Sequence, residues 1–213
     1  MRADRINFCL EEEEMKFNVI LFNDFETLDA FGPVEVIGAL DKFTERAYEI
    51  GFYSEKGGVV RSKQNVKVET VPIADIKDAD VILIPGGFGT RSEISNGELI
   101  RSLKELAEKA QYVLSVCTGS ALLAKTGLIK NMKATSNKMA FDWVTGQDRE
   151  VQWIRKARWV RDGKYYTSSG VSAGIDMTLG FVSDILGIGA AEKIAAGIEY
   201  IWNRDKENDP FCS

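Results

Sequence analysis

The chain has 213 residues, enough for one large domain or two small ones, and its 27 basic and 32 acidic side chains give a formal net charge of −5. A chain of this length buries about 70 % of its unfolded surface, so folding requires neither disulfides nor a structural metal. It contains no histidine, which excludes a Ser-His-Asp triad, a Cys-His dyad, a His-ligated metal and an imidazole base. Acid–base work falls to carboxylates, Cys, Lys, Tyr or water.

Residues 1–14 set Arg2 and Arg5 against Asp4 and the run Glu11 to Glu14, and they read as an acidic, solvated extension ahead of a single domain, 15–213. The domain is close to neutral and shows no basic stripe, so nucleic acid is not an expected partner. Cys9, Cys117 and Cys212 are odd in number and far apart, which fits a reducing cytoplasm better than a disulfide scaffold. Apolar runs fall well short of the ~20 residues of a membrane span, and residues 1–14 do not show the basic-then-apolar order expected of a signal peptide. A soluble cytoplasmic protein with no membrane partner is expected.

Phe17 to Phe22 is a short apolar run ending at Asn23-Asp24, a strand. Gly32-Pro33 opens a helical pattern through Val36, Ile37 and Leu40, with Pro33 suited to a first turn. Tyr48 to Ser54 is a second strand, and Gly57-Gly58 leads into two short alternating pieces that predict a small antiparallel addition. Val81 to Ile84 is a strand buried on both faces, followed by Pro85-Gly86-Gly87-Phe88. Ser95 with Glu98 predicts a capping box for a helix through Leu99, Leu103 and Leu106.

Tyr112 to Val116 is another buried strand, which Cys117-Thr118-Gly119-Ser120 breaks into a helix. Lys133 to Thr135 is strand-like and Met139 to Val144 a short helix. Glu150 to Val160 and Lys164 to Ser168 predict two strands turned at Asp162-Gly163. Val171, Ile175, Leu179, Val182 and Leu186 line one helical face, a last helix covers about Gly189 to Trp202, and a polar tail runs over the surface. Strands alternating with helices predict an α/β fold with an open, mostly parallel sheet between helical layers. Ligands then bind at the carboxyl ends of the strands.

Three strand ends carry chemistry: Asp29 after the first, Gly86-Gly87 after the Val81 strand, and Cys117 after the Tyr112 strand. If these strands are parallel neighbours, all three meet on one edge. Cys117 at a strand-to-helix bend is either a nucleophile favoured as thiolate by nearby N–H groups or a small buried hydrophobe. The Gly87 and Thr118 amides favour the first reading, since together they can form an oxyanion hole. Asp29 is either a helix N-cap or a carboxyl whose pKa desolvation raises, the natural proton partner of a thiol in a chain without histidine. Glu35 reads as solvated, Cys9 and Cys212 as exposed bystanders, and Asp176 as structural. Gly170 to Gly174 is a phosphate cradle or a tight packing turn. Trp143, Trp153, Trp159 and Trp202 read as core or interface.

Leu28-Asp29 with Gly32-Pro33 and Glu35-Val36, Ile84-Pro85-Gly86-Gly87, Ser115-Val116-Cys117-Thr118-Gly119-Ser120 and Gly170-Val171-Ser172-Ala173-Gly174-Ile175-Asp176 occur in this order. Together they resemble the ThiJ/PfpI superfamily, and the resemblance covers nearly all of Met15 to Pro210. It implies a flavodoxin-like three-layer sandwich, of the class I glutamine amidotransferase-like kind, and a homodimer without cofactor or metal. Asp29 with Cys117-Thr118-Gly119 looks most like the isonitrile hydratase branch. That implies addition of water to a small-molecule isonitrile, with Cys117 as nucleophile, Asp29 as acid–base group and Thr118 orienting water. Gly87 and Thr118 would hold the intermediate, and Gly86, Phe88 and Val171 would shape the pocket.

Departures from the family pattern are informative. PfpI-type peptidases place a histidine where Thr118 stands, and deglycase- and glyoxalase-like members place a glutamate where Asp29 stands. Ala134-Thr135-Ser136-Asn137-Lys138 has Asn137 where isonitrile hydratases and related regulator domains tend to have histidine. The alternatives are a cysteine-based redox or stress sensor, an amidase or glutamine amidotransferase-like enzyme, and a deglycase-like enzyme. A regulator's ligand-binding domain is disfavoured, because no residues remain for a DNA-binding module.

Overall fold

The computed structural model describes residues 14–44 and 48–212. All but the last residue of the expected acidic extension, and Cys9 within it, lie outside the described residues. The chain builds β1 (Met15–Ile20), α1 (Thr27–Gly38), α2 (Leu40–Phe43), β2 (Tyr48–Ser54), β3 (Gly58–Arg61), β4 (Lys67–Pro72) and β5 (Val81–Ile84). Then come α3 (Thr90–Glu93), α4 (Gly97–Lys109), β6 (Tyr112–Ser115), α5 (Gly119–Lys125) and β7 (Lys133–Ala134). The remainder is α6 (Phe141–Thr145), β8 (Gln152–Trp153), β9 (Trp159–Asp162), β10 (Tyr165–Ser168), α7 (Ala173–Leu186) and α8 (Ile188–Gly197).

Eight strands form one sheet in the order β3-β4-β2-β1-β5-β6-β10-β9. The inner six run parallel, and β3 and β9 close the two edges antiparallel. The expected α/β architecture is therefore present, with the expected antiparallel addition at β3–β4. Phe17, Val19, Val81, Ile82, Leu83, Ile84, Val113 and Leu114 are fully buried, as central parallel strands sandwiched between helices must be. Helix α7 packs against both α1 and α8, and α5 against both α3 and α4.

After β4 the winding reverses: β5 adds on the opposite side of β1. The crevice at the carboxyl ends of β1 and β5 is thus the topological switch point, where such sheets bind ligands. No helix among the described residues is long and apolar enough to cross a membrane.

Several local expectations change. Helix α1 starts at Thr27, not at Pro33, which sits inside it. The missing Pro33 N–H leaves the Asp29 carbonyl without its intrahelical donor, a defect the helix tolerates because packing against α7 holds it. Asn96, not Ser95, caps α4, accepting the Leu99 N–H at 3.2 Å. The expected long strand from Glu150 splits into β8, which pairs with β7, and β9, which pairs with β10. Helix α8 ends at Gly197, short of Trp202.

The tail is docked rather than loose. Arg158 N–H donates to the Lys206 carbonyl (2.8 Å) and Asp209 N–H to the Lys156 carbonyl (2.7 Å). Beneath it Arg158 forms a buried cluster: its Nε donates to Asp176 Oδ2 at 2.7 Å, and its Nη1 lies 3.8 Å from Asp209 Oδ2. Asp176 also accepts the Asn203 N–H at 2.9 Å. Burial still holds its pKa above the ordinary value despite the arginine beside it. In the glycine-rich turn before α7, Gly174 packs so closely that a Cβ there would stand 2.9 Å from Val116 Cγ1.

Candidate active site

The elbow after β6 is pinned on every side. Cys117 has φ +56°, a left-handed conformation that a non-glycine residue adopts only when its surroundings enforce it. Its N–H donates to the Ser169 carbonyl at 3.0 Å. Its carbonyl accepts the Ser120 hydroxyl at 3.0 Å and the Ser136 hydroxyl at 2.7 Å. A side chain at Gly119 would collide with the Ile84 carbonyl, so the helix can begin this close to β5 only with glycine there.

The loop after β5 locks to the loop after β1. Glu26 N–H donates to the Gly86 carbonyl (2.9 Å) and Gly89 N–H to the Asp24 carbonyl (3.1 Å). Gly87, at φ +124°, lies so close to the Asp24 carbonyl that a Cβ would stand 2.5 Å from it. The three strand ends that carry Asp29, Gly86-Gly87 and Cys117 thus converge, as the sequence predicts for parallel neighbours.

Asp29 lies in the first turn of α1, fully buried, and is not an N-cap; Glu26 occupies that position. Asp29 Oδ2 accepts the Gly86 N–H at 3.0 Å, while Oδ1 has no hydrogen-bond partner. Desolvation is the main reason its pKa is pushed up to about 7; the Gly86 N–H opposes that rise, and the neighbouring Glu26 charge adds to it. The carboxyl also interacts with the Cys117 thiol. The approach is close enough to couple their ionisation, yet no aligned S–H···O bond satisfies Oδ1.

The thiol itself is held well above its ordinary pKa, first by burial and second by the Asp29 carboxylate, against the Thr118 and Val171 N–H groups that donate toward sulfur. A resting thiolate, as expected from the helix terminus alone, is corrected by that balance. Cys117 is 7 % exposed and opens onto a cavity of about 450 Å³. Phe88, Met139, Ala140, Trp143 and Val171 provide its apolar wall, and Glu26, Arg91 and Asn137 its polar groups.

Two expected donors are placed differently. The Gly87 N–H is engaged by Thr118 Oγ1 at 3.0 Å and is not free for an oxyanion. Thr118 Oγ1 also sits 3.1 Å from Thr90 Oγ1, so its hydroxyl ties the two loops and is turned from the task of orienting water. What Thr118 offers the sulfur is its N–H. The second N–H comes from Val171, a β-branched residue at φ +24°, which the sequence reading treats only as wall.

Gly86 does not line the cavity; it is wedged between Thr118 and Asp29. Phe88 stands 67 % exposed at the mouth. Glu35 is exposed and apart from the cavity, and Cys212 is half-buried rather than exposed. Trp143 lines the cavity instead of the core. Arg91, Glu26 and Met139 belong to no sequence motif and become legible only through the fold.

A buried, strained cysteine coupled to a buried carboxyl at the switch point of a parallel sheet defines an α/β protein with a cysteine-centred pocket. The chain belongs to the DJ-1/PfpI family, whose profile matches residues 15–184. It is 27 % identical over 189 residues to the isonitrile hydratase of Pseudomonas putida, spanning 87 % of this chain and 78 % of that one. A ThiJ/PfpI family protein from Pseudomonas syringae superposes with a TM-score of 0.79 at 25 % identity, over 99 % of this chain and 84 % of that one. DJ-1beta of Drosophila melanogaster gives 0.73 at 20 % identity, over 89 % of this chain and all of that one, a likeness of fold.

Proposed function

We propose that this protein is a cofactor-independent hydratase that converts an isonitrile and water to an N-substituted formamide. The coupling of the Cys117 thiol, which lines an apolar-walled cavity, to a fully buried Asp29 carboxyl with a pKa of about 7 behind it carries this reading. A carboxyl near neutrality can both take and return a proton at cellular pH.

The resting thiol adds across the terminal carbon of R–N≡C. The S–C bond forms as Asp29 takes the thiol proton and passes it to that carbon, leaving the thioimidate R–N=CH–S–Cys117. Water then adds at the same carbon, its oxygen bonding to carbon and a proton going to nitrogen. Collapse of the tetrahedral adduct breaks the C–S bond, and the hydroxyl proton returns through Asp29 to sulfur as R–NH–CHO leaves. Covalent catalysis divides one difficult addition into two easier ones. The Thr118 and Val171 N–H groups stabilise negative charge on sulfur whenever the C–S bond is breaking.

Purified protein incubated with cyclohexyl or phenyl isonitrile is expected to yield the formamide, and Cys117→Ala to give none. Equal formamide from both proteins refutes the assignment. A second reading rests on the same two N–H donors, which would also hold a cysteine sulfinate: a thiol that senses oxidant. Stoichiometric oxidation at Cys117 by mild peroxide, seen by intact mass in a protein without isonitrile turnover, favours that reading instead.

A further inference from the structure

The cavity above Cys117 contains a cation whose presence the hydration reaction does not explain. Arg91 stacks on Trp143, its guanidinium carbon 3.8 Å from the ring centroid. Its Nη1 donates to Thr90 Oγ1 at 3.1 Å, and Thr90 is in turn joined to Thr118 beside the nucleophile. A ring face and a hydroxyl fix the plane of the guanidinium. Among the described residues no carboxylate oxygen lies within ion-pair distance of it. The cavity's own carboxylate, Glu26, keeps its charge, accepts from Gln64 Nε2 at 2.6 Å and forms no ion pair with Arg91.

The guanidinium is exposed to solvent, so water meets its charge in the free protein, and an anionic ligand at this edge of the cavity would replace that water at a planar, already oriented fork. Partial burial lowers its pKa, and it lies close enough to Cys117 for its charge to favour a thiolate whenever one forms. A second cation reinforces the field at the mouth, where Lys63 lies 5.2 Å from the Phe88 ring. The remaining guanidinium N–H groups form a planar fork of the shape that receives a carboxylate.

We infer that the natural substrate carries a carboxylate, which Arg91 receives while its apolar body fills the space between Phe88 and Trp143 and its reactive end meets Cys117. The reacting group rests on the hydratase reading, whereas the anion site stands by itself and is tested without turnover. In Cys117→Ala protein, 4-formamidobenzoate is expected to bind about tenfold more tightly than formanilide, the gain of a charge-assisted pair with an already oriented guanidinium. Arg91→Gln should bring that ratio close to one, and Arg91→Lys should keep part of it, because lysine retains the charge but not the fork.

The kinetic counterpart is the ratio of kcat/KM for 4-isocyanobenzoate over phenyl isonitrile, with the same dependence on residue 91. Equal binding of the two formamides to Cys117→Ala, or a preference that survives Arg91→Gln, overturns the anion site. Selective formamidobenzoate binding without turnover of either isonitrile upholds the anion site and removes the hydratase reading. Thermal unfolding of the variants separates a lost contact from a lost fold, and Arg91 is exposed enough that its replacement leaves the core untouched.

Discussion

Asp29 Oδ2 and the Gly86 amide are 57 residues apart in the chain and 3.0 Å apart in the protein. That bond brings the carboxyl of α1 under the elbow that carries Cys117, and it satisfies only one of the two carboxyl oxygens. A carboxyl in this state is stable when protonated and strained when charged. Both the pH dependence of folding and that of catalysis follow from it.

The folded-state pKa of Asp29 is about 7, above the ordinary 3.8. A raised carboxyl pKa means that the folded form binds more protons than the unfolded form between these values. Stability therefore falls as pH rises from about 4 to 7, by an amount on the order of 4 kcal/mol at most. Asp29→Asn is expected to be more stable than the parent at pH 8 and to lose that advantage near pH 4. Urea denaturation at pH 4, 6 and 8 measures it, and an advantage independent of pH contradicts the raised pKa.

On the proposed reaction Asp29 must be ionised to take the thiol proton. The kcat/KM for an isonitrile should rise with pH to a plateau, with a midpoint near 7 set by Asp29. The thiol, held above its ordinary pKa, adds no limb of its own below pH 9. Asp29→Asn should lose about 10²-fold or more in rate, together with the limb. An unchanged midpoint in that variant would assign the titration to another group.

The family resemblance implies that Thr118 orients water, yet its hydroxyl works as a brace between two loops. Thr118→Val leaves the Gly87 N–H without its acceptor and should cost about 1–3 kcal/mol. Thr118→Ser keeps the oxygen and should restore most of that stability. Chemical denaturation of the three proteins checks it; a Thr118→Val protein as stable as the parent beside a destabilised Thr118→Ser would mean that the methyl group, not the hydroxyl, matters.

The sheet, the neighbouring strand ends and the pair Asp29–Cys117 were legible in the sequence because they follow from short-range pattern. Buried apolar runs give strands, and parallel winding brings their carboxyl ends together. What was hidden depends on direction rather than order. Nothing in Gly170-Val171 announces that Val171 turns to φ +24° and aims its N–H at sulfur. Arg91 and Trp143 come from separate helices and meet only because α3 and α6 flank α5. Pro33 misplaced the start of α1, since proline is usual in a first turn but here is carried inside a helix that packing stabilises.

The docked tail makes its own test. Arg158 is 5 % exposed between Asp176 and Asp209, and Asp209 Oδ2 has no hydrogen bond to compensate its burial. Arg158→Met would leave the buried Asp176 without its cation and Asp209 with only the Lys138 charge nearby, at a cost of about 3–5 kcal/mol. The tail from 203 onward should then be cut by protease well before the domain. A tail as resistant as in the parent would show that the backbone bonds at Lys206 and Asp209 hold it without the arginine.

Gly86 offers the sharpest test of how the pair is spaced. A Cβ there would stand 2.5 Å from the Thr118 nitrogen and 2.9 Å from Asp29 Oδ2, and both are held by backbone or by a buried turn. Gly86→Ala must therefore push α1 and the elbow apart. Overpacking of this kind costs about 1–3 kcal/mol in stability, whereas a shift of about 1 Å between reacting groups costs about 10²-fold in rate. Gly97→Ala is the matched control, because a Cβ at Gly97 meets nothing within 4 Å. With both variants folded, formamide production should collapse in Gly86→Ala and persist in Gly97→Ala. Full activity in Gly86→Ala would mean that the spacing of Asp29 and Cys117 does not govern the reaction.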